Sequence, residues 1–225
     1  MSAASYRQDH DLVIFDVDGT LHDAFRWWAP IIRRGVAAWG EREGVAIPEF
    51  SDEFAESVVG MKDEGVWAPF LPDDHKHRWL DLKSVVLPME IAELQSGADH
   101  LFDGVRPLLA TLRERGRKLA LASNCRQPYM DAMCAGQGLG AATDWQFCLD
   151  SQRVETKTDM LLRAVEAAGA ERPLMVGDRE PDLEAARAVG MPFVWRENRR
   201  CDLGAESEAV WRGGVDEFLG FLGLA

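Results

Sequence analysis

Cysteine is scarce: Cys125, Cys134, Cys148 and Cys201 are the four in 225 residues, and none falls in a CxxC or Cys/His ligand spacing. That excludes a disulfide framework and a thiolate metal site, and reads as reduced thiols of a cytoplasmic protein. Cys125 follows Ser123 closely and is expected to be an inert neighbour rather than a nucleophile. Long apolar runs are missing too, since no window approaches the ~18 consecutive apolar residues of a membrane span. The stretch 1–10 is short and polar, without the apolar centre of a signal peptide. Clusters of Lys and Arg are absent, and 38 acidic against 25 basic residues give a net charge of −13, which excludes nucleic acid as a direct partner. No internal repeat or low-complexity segment is present. A hydrophobic share of 47% is enough for a sizeable core, in one α/β domain with an insertion or in two small domains.

Of what is present, Leu12-Val13-Ile14-Phe15 comes first. Four consecutive apolar residues, most of them β-branched or aromatic, predict a strand buried on both faces, as in the centre of a parallel sheet. Asp16 and Asp18 follow at its carboxyl end. Residues two apart on an extended chain project to the same side, so both carboxylates can converge beyond the strand, where sheets of this class bind ligands.

Residues 23–97 then change character, with tryptophan and helical periodicity replacing strand-like runs. Phe25, Trp28, Ile32, Val36 and Trp39 predict an amphipathic helix that Pro30 should kink or restart and that Gly40 and Gly44 end. Ser51 is a candidate N-cap for a helix over 50–59. Two more helices are expected over 75–87 and 89–95, separated by Pro88. Five of the eight tryptophans, Trp27, Trp28, Trp39, Trp67 and Trp79, lie in this segment. They read as the core of a small bundle, with pocket lining as the alternative. His22, His75 and His77 read as surface or packing residues.

From Phe102 onward strands and helices alternate. Strands are expected at 118–122, 146–149, 173–177 and 193–195, and helices over 105–115, 127–137, 158–168, from Pro181 to Gly190 and over 215–224. Such alternation with short connections implies a doubly wound parallel sheet covered by helices. The fold class is therefore α/β, with core residues 1–22 and 98–225 and an inserted all-helical cap of residues 23–97.

Polar signals fall at or just after the ends of the expected strands, or at a helix start. They are the DxDGT stretch Asp16–Thr20, Ser123-Asn124 after Leu121-Ala122, Lys157 before a helix, and Gly177-Asp178-Arg179-Glu180-Pro181-Asp182 in GDxxxD form. In kind and order they resemble the four signature motifs of the haloacid dehalogenase-like (HAD) hydrolase superfamily. Phe102-Asp103-Gly104-Val105 is similar to the re-entry from cap to core in its phosphoglycolate phosphatase-like branch. Thr158 follows Lys157 where the family often has proline.

The resemblance implies a Rossmann-like core and an aspartyl-phosphate mechanism. Asp16, a carboxylate that at its ordinary pKa of about 3.9 needs no base, would be the nucleophile. Asp18 would protonate the departing oxygen and later take a proton from water. Mg²⁺ would be held by Asp16, the backbone carbonyl of Asp18, and Asp178, with Asp182 coordinating or supporting through water. Ser123, Asn124 and Lys157 would bind the phosphoryl group. Haloalkanoate dehalogenases lack an aspartate at the position of Asp18 and phosphonoacetaldehyde hydrolases have alanine there, so Asp18 points to phosphate ester chemistry. Gly60-Met61-Lys62 is loosely similar to the cap lysine segment of the phosphonoacetaldehyde branch, which makes Lys62 a candidate substrate-facing cation. The expected activity is a Mg²⁺-dependent phosphatase acting on a small phosphorylated metabolite. The alternatives are a sugar phosphomutase and a non-catalytic binding module; oligomeric state stays open.

Overall fold

The computed structural model describes residues 9–198 and 200–224. Residues 1–8, most of the polar stretch 1–10 and the start of the expected core span, lie outside them.

The sheet has six parallel strands: β1 (Leu12–Phe15), β2 (Lys118–Ala122), β3 (Trp145–Phe147), β4 (Pro173–Gly177), β5 (Phe193–Arg196) and β6 (Ala209–Trp211). Their order is β3-β2-β1-β4-β5-β6, with β1 paired to β2 on one side and β4 on the other. Strands β1 to β3 are added towards one edge of the sheet and β4 to β6 towards the other, so the crevice for ligands opens beyond the carboxyl ends of β1 and β4. Alternation along β1 sends Val13 and Phe15 to one core layer and Leu12 and Ile14 to the other. All four are fully buried, as their run of apolar residues predicts.

Between β1 and the next core element the chain builds its helical cap. The helices are α1 (Trp28–Glu43), α2 (Asp52–Ser57), the short α3 (Glu64–Trp67) and α4 (Trp79–Leu94). Ser51 caps α2, its hydroxyl accepting from the Phe54 amide. Pro30 falls in the first turn of α1, where its missing N–H has no partner to lose, so it neither kinks nor restarts the helix. The expected break at Pro88 does not occur either: α4 runs straight through it. Leu82, Val86, Glu90 and Leu94 are buried at four-residue steps, and packing of that stripe outweighs one absent hydrogen bond. Trp39 is core, fully buried, whereas Trp28 and Trp67 are both buried and part of a cavity wall.

The other face-covering helices follow in order: α5 (Val105–Glu114), α6 (Gln127–Gly136), α7 (Leu139–Ala142), α8 (Lys157–Ala168), α9 (Glu180–Ala188) and α10 (Val215–Phe221). Residues of α8 and α9 pack on the layer of Leu12 and Ile14, and those of α5, α6 and α10 on the layer of Val13 and Phe15, which runs on into the cap. Strand β6 has no counterpart among the expected strands; its three residues are too short a run to register as a periodic signal. Among the described residues no helix is long and apolar enough to cross a membrane. All four cysteines are free.

Candidate active site

Asp16 sits one residue past β1 and is 5% exposed. Its amide donates to the Val176 carbonyl at 2.8 Å, which extends the pairing with β4 and brings Asp16 level with the end of that strand. Lys157, the first residue of α8, donates to Asp16 Oδ1 at 2.5 Å and also bonds Asp182 Oδ1. The Thr20 hydroxyl donates to Asp16 Oδ2 at 3.3 Å. Asp182 Oδ2 accepts from the amides of Asp178 and Arg179, both at 3.1 Å, so both of its oxygens are engaged by the protein. Asp178, 1% exposed at the end of β4, is bound at Oδ2 by the Arg200 guanidinium, with Asn198 Nδ2 at 3.4 Å.

Carboxylate oxygens of Asp16, Asp178 and Asp182 all lie within 4.8 Å of one another. Burial pushes Asp16 well above the usual carboxylate range, with Asp182 and Asp178 adding to the rise and Lys157 opposing it. Burial likewise pushes Asp178 up to about 7, against the pull of Arg200. The sequence expectation of an ionised Asp16 therefore depends on positive charge beside it. For Lys157 burial acts downward, but the two carboxylates outweigh it and hold the ammonium charged. Gly19 makes the close approach possible: its φ is +95°, and a Cβ there would overlap Asp178 Oδ2.

Asp18 is wired separately. Its Oδ1 faces His22 Nδ1 at 2.7 Å and accepts from the Tyr129 hydroxyl at 3.0 Å. The Trp27 indole donates to His22 Nε2 at 3.3 Å. An indole N–H can only donate, so Nε2 presents its lone pair and the ring proton sits on Nδ1, aimed at Asp18. Burial, with the Asp18 charge, pushes the Tyr129 phenol well above its usual range, which keeps it a donor. Oδ2 of Asp18 accepts no hydrogen bond from the described residues. Asp18, Ser123 and Asn124 together line a cavity of ≈ 80 Å³ between core and cap. The cap segment above it is tied down by Asn124, which donates to the Gly60 carbonyl at 3.2 Å, and by the Arg179 and Arg200 guanidinia, which both donate to the Val59 carbonyl.

A sequence model of the haloacid dehalogenase-like hydrolase family matches residues 10–190. The chain belongs to the haloacid dehalogenase-like hydrolases. It is 29% identical over 211 residues to the tyrosine-protein kinase PtkA of Mycobacterium tuberculosis, covering 85% of this chain and 64% of that protein, so the chain spans less than two thirds of that relative's length. It is 30% identical over 201 residues to the phosphoglycolate phosphatase of Rhodobacter capsulatus, covering 81% of this chain and 82% of the relative. A haloacid dehalogenase-like family protein from Streptococcus pneumoniae shares the fold, with a TM-score of 0.76 at 19% identity over 95% of this chain and 98% of that one.

Against that HAD-like frame, the residues singled out in the sequence divide clearly. Asp16, Lys157, Asp178 and Asp182 form one buried cluster, and Asp18, Ser123 and Asn124 line the adjoining cavity. Lys62 joins neither: it is exposed and forms no part of the cavity wall, where the cap cation is Lys83. Cys125 lies in that wall, but burial pushes its thiol well above the ordinary range, as befits an inert neighbour. His22, expected at the surface or in cap packing, is instead fully buried against Asp18. Its signal was its spacing, four residues after Asp18. Tyr129, Arg200 and Glu90 also reach the site without having been marked. Of these only Glu90 carries a sequence signal, an acid on the buried register of α4.

Proposed function

We propose that the chain is a Mg²⁺-dependent phosphatase that hydrolyses the monoester of a small phosphorylated metabolite through Asp16. The observation that carries this reading is the wiring of two neighbouring carboxylates into separate networks. Asp16 is held by an ammonium and a hydroxyl, Asp18 by an imidazole and a phenol. Two carboxyls so differently surrounded can divide nucleophilic and proton-transfer work.

In the first step an Asp16 oxygen forms a bond to phosphorus as the ester oxygen leaves, and the proton on Asp18 goes to that oxygen. In the second, water adds to phosphorus, gives its proton to Asp18, and releases Asp16 and inorganic phosphate. His22 and Tyr129 both hold Oδ1 of Asp18, so Oδ2 is the oxygen left to carry the proton. Lys157 and the Ser123 hydroxyl would neutralise and hold phosphoryl oxygens, with Asn124 beside them.

The donor set fits a hard divalent cation: three buried carboxylates crowd together, and for Asp16 and Asp178 burial and the neighbouring carboxylates oppose ionisation. Asp16 and Asp178 would hold it with the backbone carbonyl of Asp18, whose side chain His22 and Tyr129 hold by Oδ1. Asp182, with both oxygens bonded, would support through water. Bound there, Mg²⁺ supplies the positive charge that lets a carboxylate approach a phosphate dianion. Core residues 1–22 and 98–225 and cap residues 23–97 are the units of this reading, and a reducing cytoplasmic setting suits the free thiols.

The test is hydrolysis of a generic aryl phosphate by the full chain with and without Mg²⁺, alongside Asp16→Asn. Activity should require the cation and fall roughly 10³-fold or more in the variant. Activity surviving both changes overturns the reading. Adding a nucleoside triphosphate and a tyrosine peptide to the same preparation covers the activity for which the mycobacterial relative is named; phosphotyrosine formation without ester hydrolysis would replace the phosphatase assignment.

A further inference from the structure

The cavity over Asp18 carries five acidic or basic side chains, beside Ser123, Asn124, Cys125 and Tyr129 and an apolar wall that includes Trp28, Trp67 and Leu87. Two are cations, and both are already neutralised. Arg126 donates to both oxygens of Asp63, at 3.1 and 2.5 Å, and to Asp150 at 2.6 Å. Lys83 Nζ lies 3.6 Å from Asp63 Oδ1. Asp18 has its two donors. The fifth, Glu90, is 3% exposed on α4 and has no cation partner. Its one hydrogen bond is from the Trp28 indole to Oε1, and Oε2 accepts none from the described residues.

With Oε1 taken by Trp28, Oε2 is the oxygen left to meet whatever fills the cavity, and on so buried a residue a hydrogen-bond donor there satisfies it. An anionic group would find no free cation in that wall, since Arg126 and Lys83 are both engaged, and would lie beside Asp18. We propose that Glu90 selects the leaving group: the ester's alcohol carries a hydrogen-bond donor, a hydroxyl or an ammonium, that docks on Glu90 Oε2, and it carries no anionic group. This rests on the phosphatase reading and narrows its substrate class. Burial pushes the Glu90 carboxyl up to about 8, only partly opposed by the Trp28 hydrogen bond and the Lys83 charge. The assignment separates this chain from the substrate for which its Rhodobacter relative is named, since the alcohol released from phosphoglycolate is a carboxylate.

The experiment compares kcat/KM of the full chain with Mg²⁺ on four alkyl esters of similar leaving-group size: glycerol phosphate, ethanolamine phosphate, n-propyl phosphate and 2-phosphoglycolate. An aryl phosphate serves as the activity reference. Glycerol or ethanolamine phosphate should exceed n-propyl phosphate by about tenfold or more, the worth of one hydrogen bond to a buried carboxyl. Phosphoglycolate should fall below n-propyl phosphate. In Glu90→Gln the hydroxyl preference should persist while any ammonium preference is lost, and in Glu90→Leu the donor preference should shrink to within about twofold of unity. The order of the four esters on the unsubstituted chain tests the assignment whether or not a variant folds. Phosphoglycolate as the best of the four, ratios unmoved in Glu90→Leu, or turnover of the aryl ester with none of the alkyl esters overturns the role of Glu90 alone. No turnover of the aryl ester overturns the phosphatase reading and this assignment with it.

Discussion

Glu90 sets a pH dependence that can be read independently of any substrate. In the unfolded chain its carboxyl titrates near its ordinary value of about 4.3, whereas burial holds it at about 8 in the native state. A group whose native pKa is raised stabilises the fold fully below the unfolded value and loses that contribution as pH rises through the native one. Between those limits the native state keeps a proton that the unfolded chain has released, so stability falls with pH at up to about 1.4 kcal/mol per unit from this residue. Asp16 and Asp178 are raised as well and act in the same direction, so the comparison must be with Glu90→Gln rather than with a flat baseline. Urea unfolding at pH 5.5 and 7.5 should show the unsubstituted chain losing roughly 2–3 kcal/mol relative to Glu90→Gln over that interval. Parallel pH slopes for the two proteins would mean that Glu90 is ionised in the native state. The same residue shows why the sequence revealed only part of the site. Asp16, Asp18, Ser123, Lys157, Asp178 and Asp182 were readable because each stands at a strand end or helix start in an ordered series. Glu90, Tyr129 and Arg200 come from helix registers and a loop whose direction depends on tertiary packing.

At the scale of elements, α4 is the piece on which the cap turns, gripped between α1 and α6 by two glycines. A Cβ on Gly35 of α1 would overlap the Val86 side chain, and one on Gly136, the last residue of α6, would overlap the Leu94 carbonyl oxygen at the end of α4. The two clashes differ in kind. Val86 belongs to a side chain that can adjust, and alanine in mid-helix recovers about 1 kcal/mol of propensity over glycine, so Gly35→Ala should change stability by no more than about 1–2 kcal/mol. The carbonyl cannot move without α4 moving, and Gly136→Ala should therefore destabilise by about 3 kcal/mol or more. Thermal unfolding of both variants decides it, and equal effects would mean that α4 and α6 are not in close backbone contact. Element type was legible wherever periodicity ran long, as in α1, α8 and the β1 run. It failed at Pro88, where local propensity favoured a break but the stripe Leu82, Val86, Glu90 and Leu94 held the helix together, and at β6, where three residues give no period to read.

At the scale of the whole molecule, the strand order is what converts scattered aspartates into a site. Asp16 follows β1 and Asp178 follows β4, more than 160 residues apart in sequence but on neighbouring strands at the point where the sheet's order reverses. Asp182 reaches the same point from the first turn of α9. The native fold thus brings together the three carboxylates proposed to hold Mg²⁺, which the unfolded chain leaves apart, and a ligand that binds only the native state stabilises it by mass action. Mg²⁺ at about 100 times its dissociation constant should add about 2.7 kcal/mol, which for a chain of this length is a rise in Tm of roughly 5–10 °C. With a net charge of −13, salt alone will also raise Tm by screening, so the control is KCl at matched ionic strength. Asp178→Asn removes one of the two side chains expected to hold the ion and leaves the overall charge almost unchanged. It should keep the KCl response and lose most of the additional Mg²⁺ shift. If KCl reproduces the Mg²⁺ shift, or if Asp178→Asn retains it, the three carboxylates do not form a divalent-cation site.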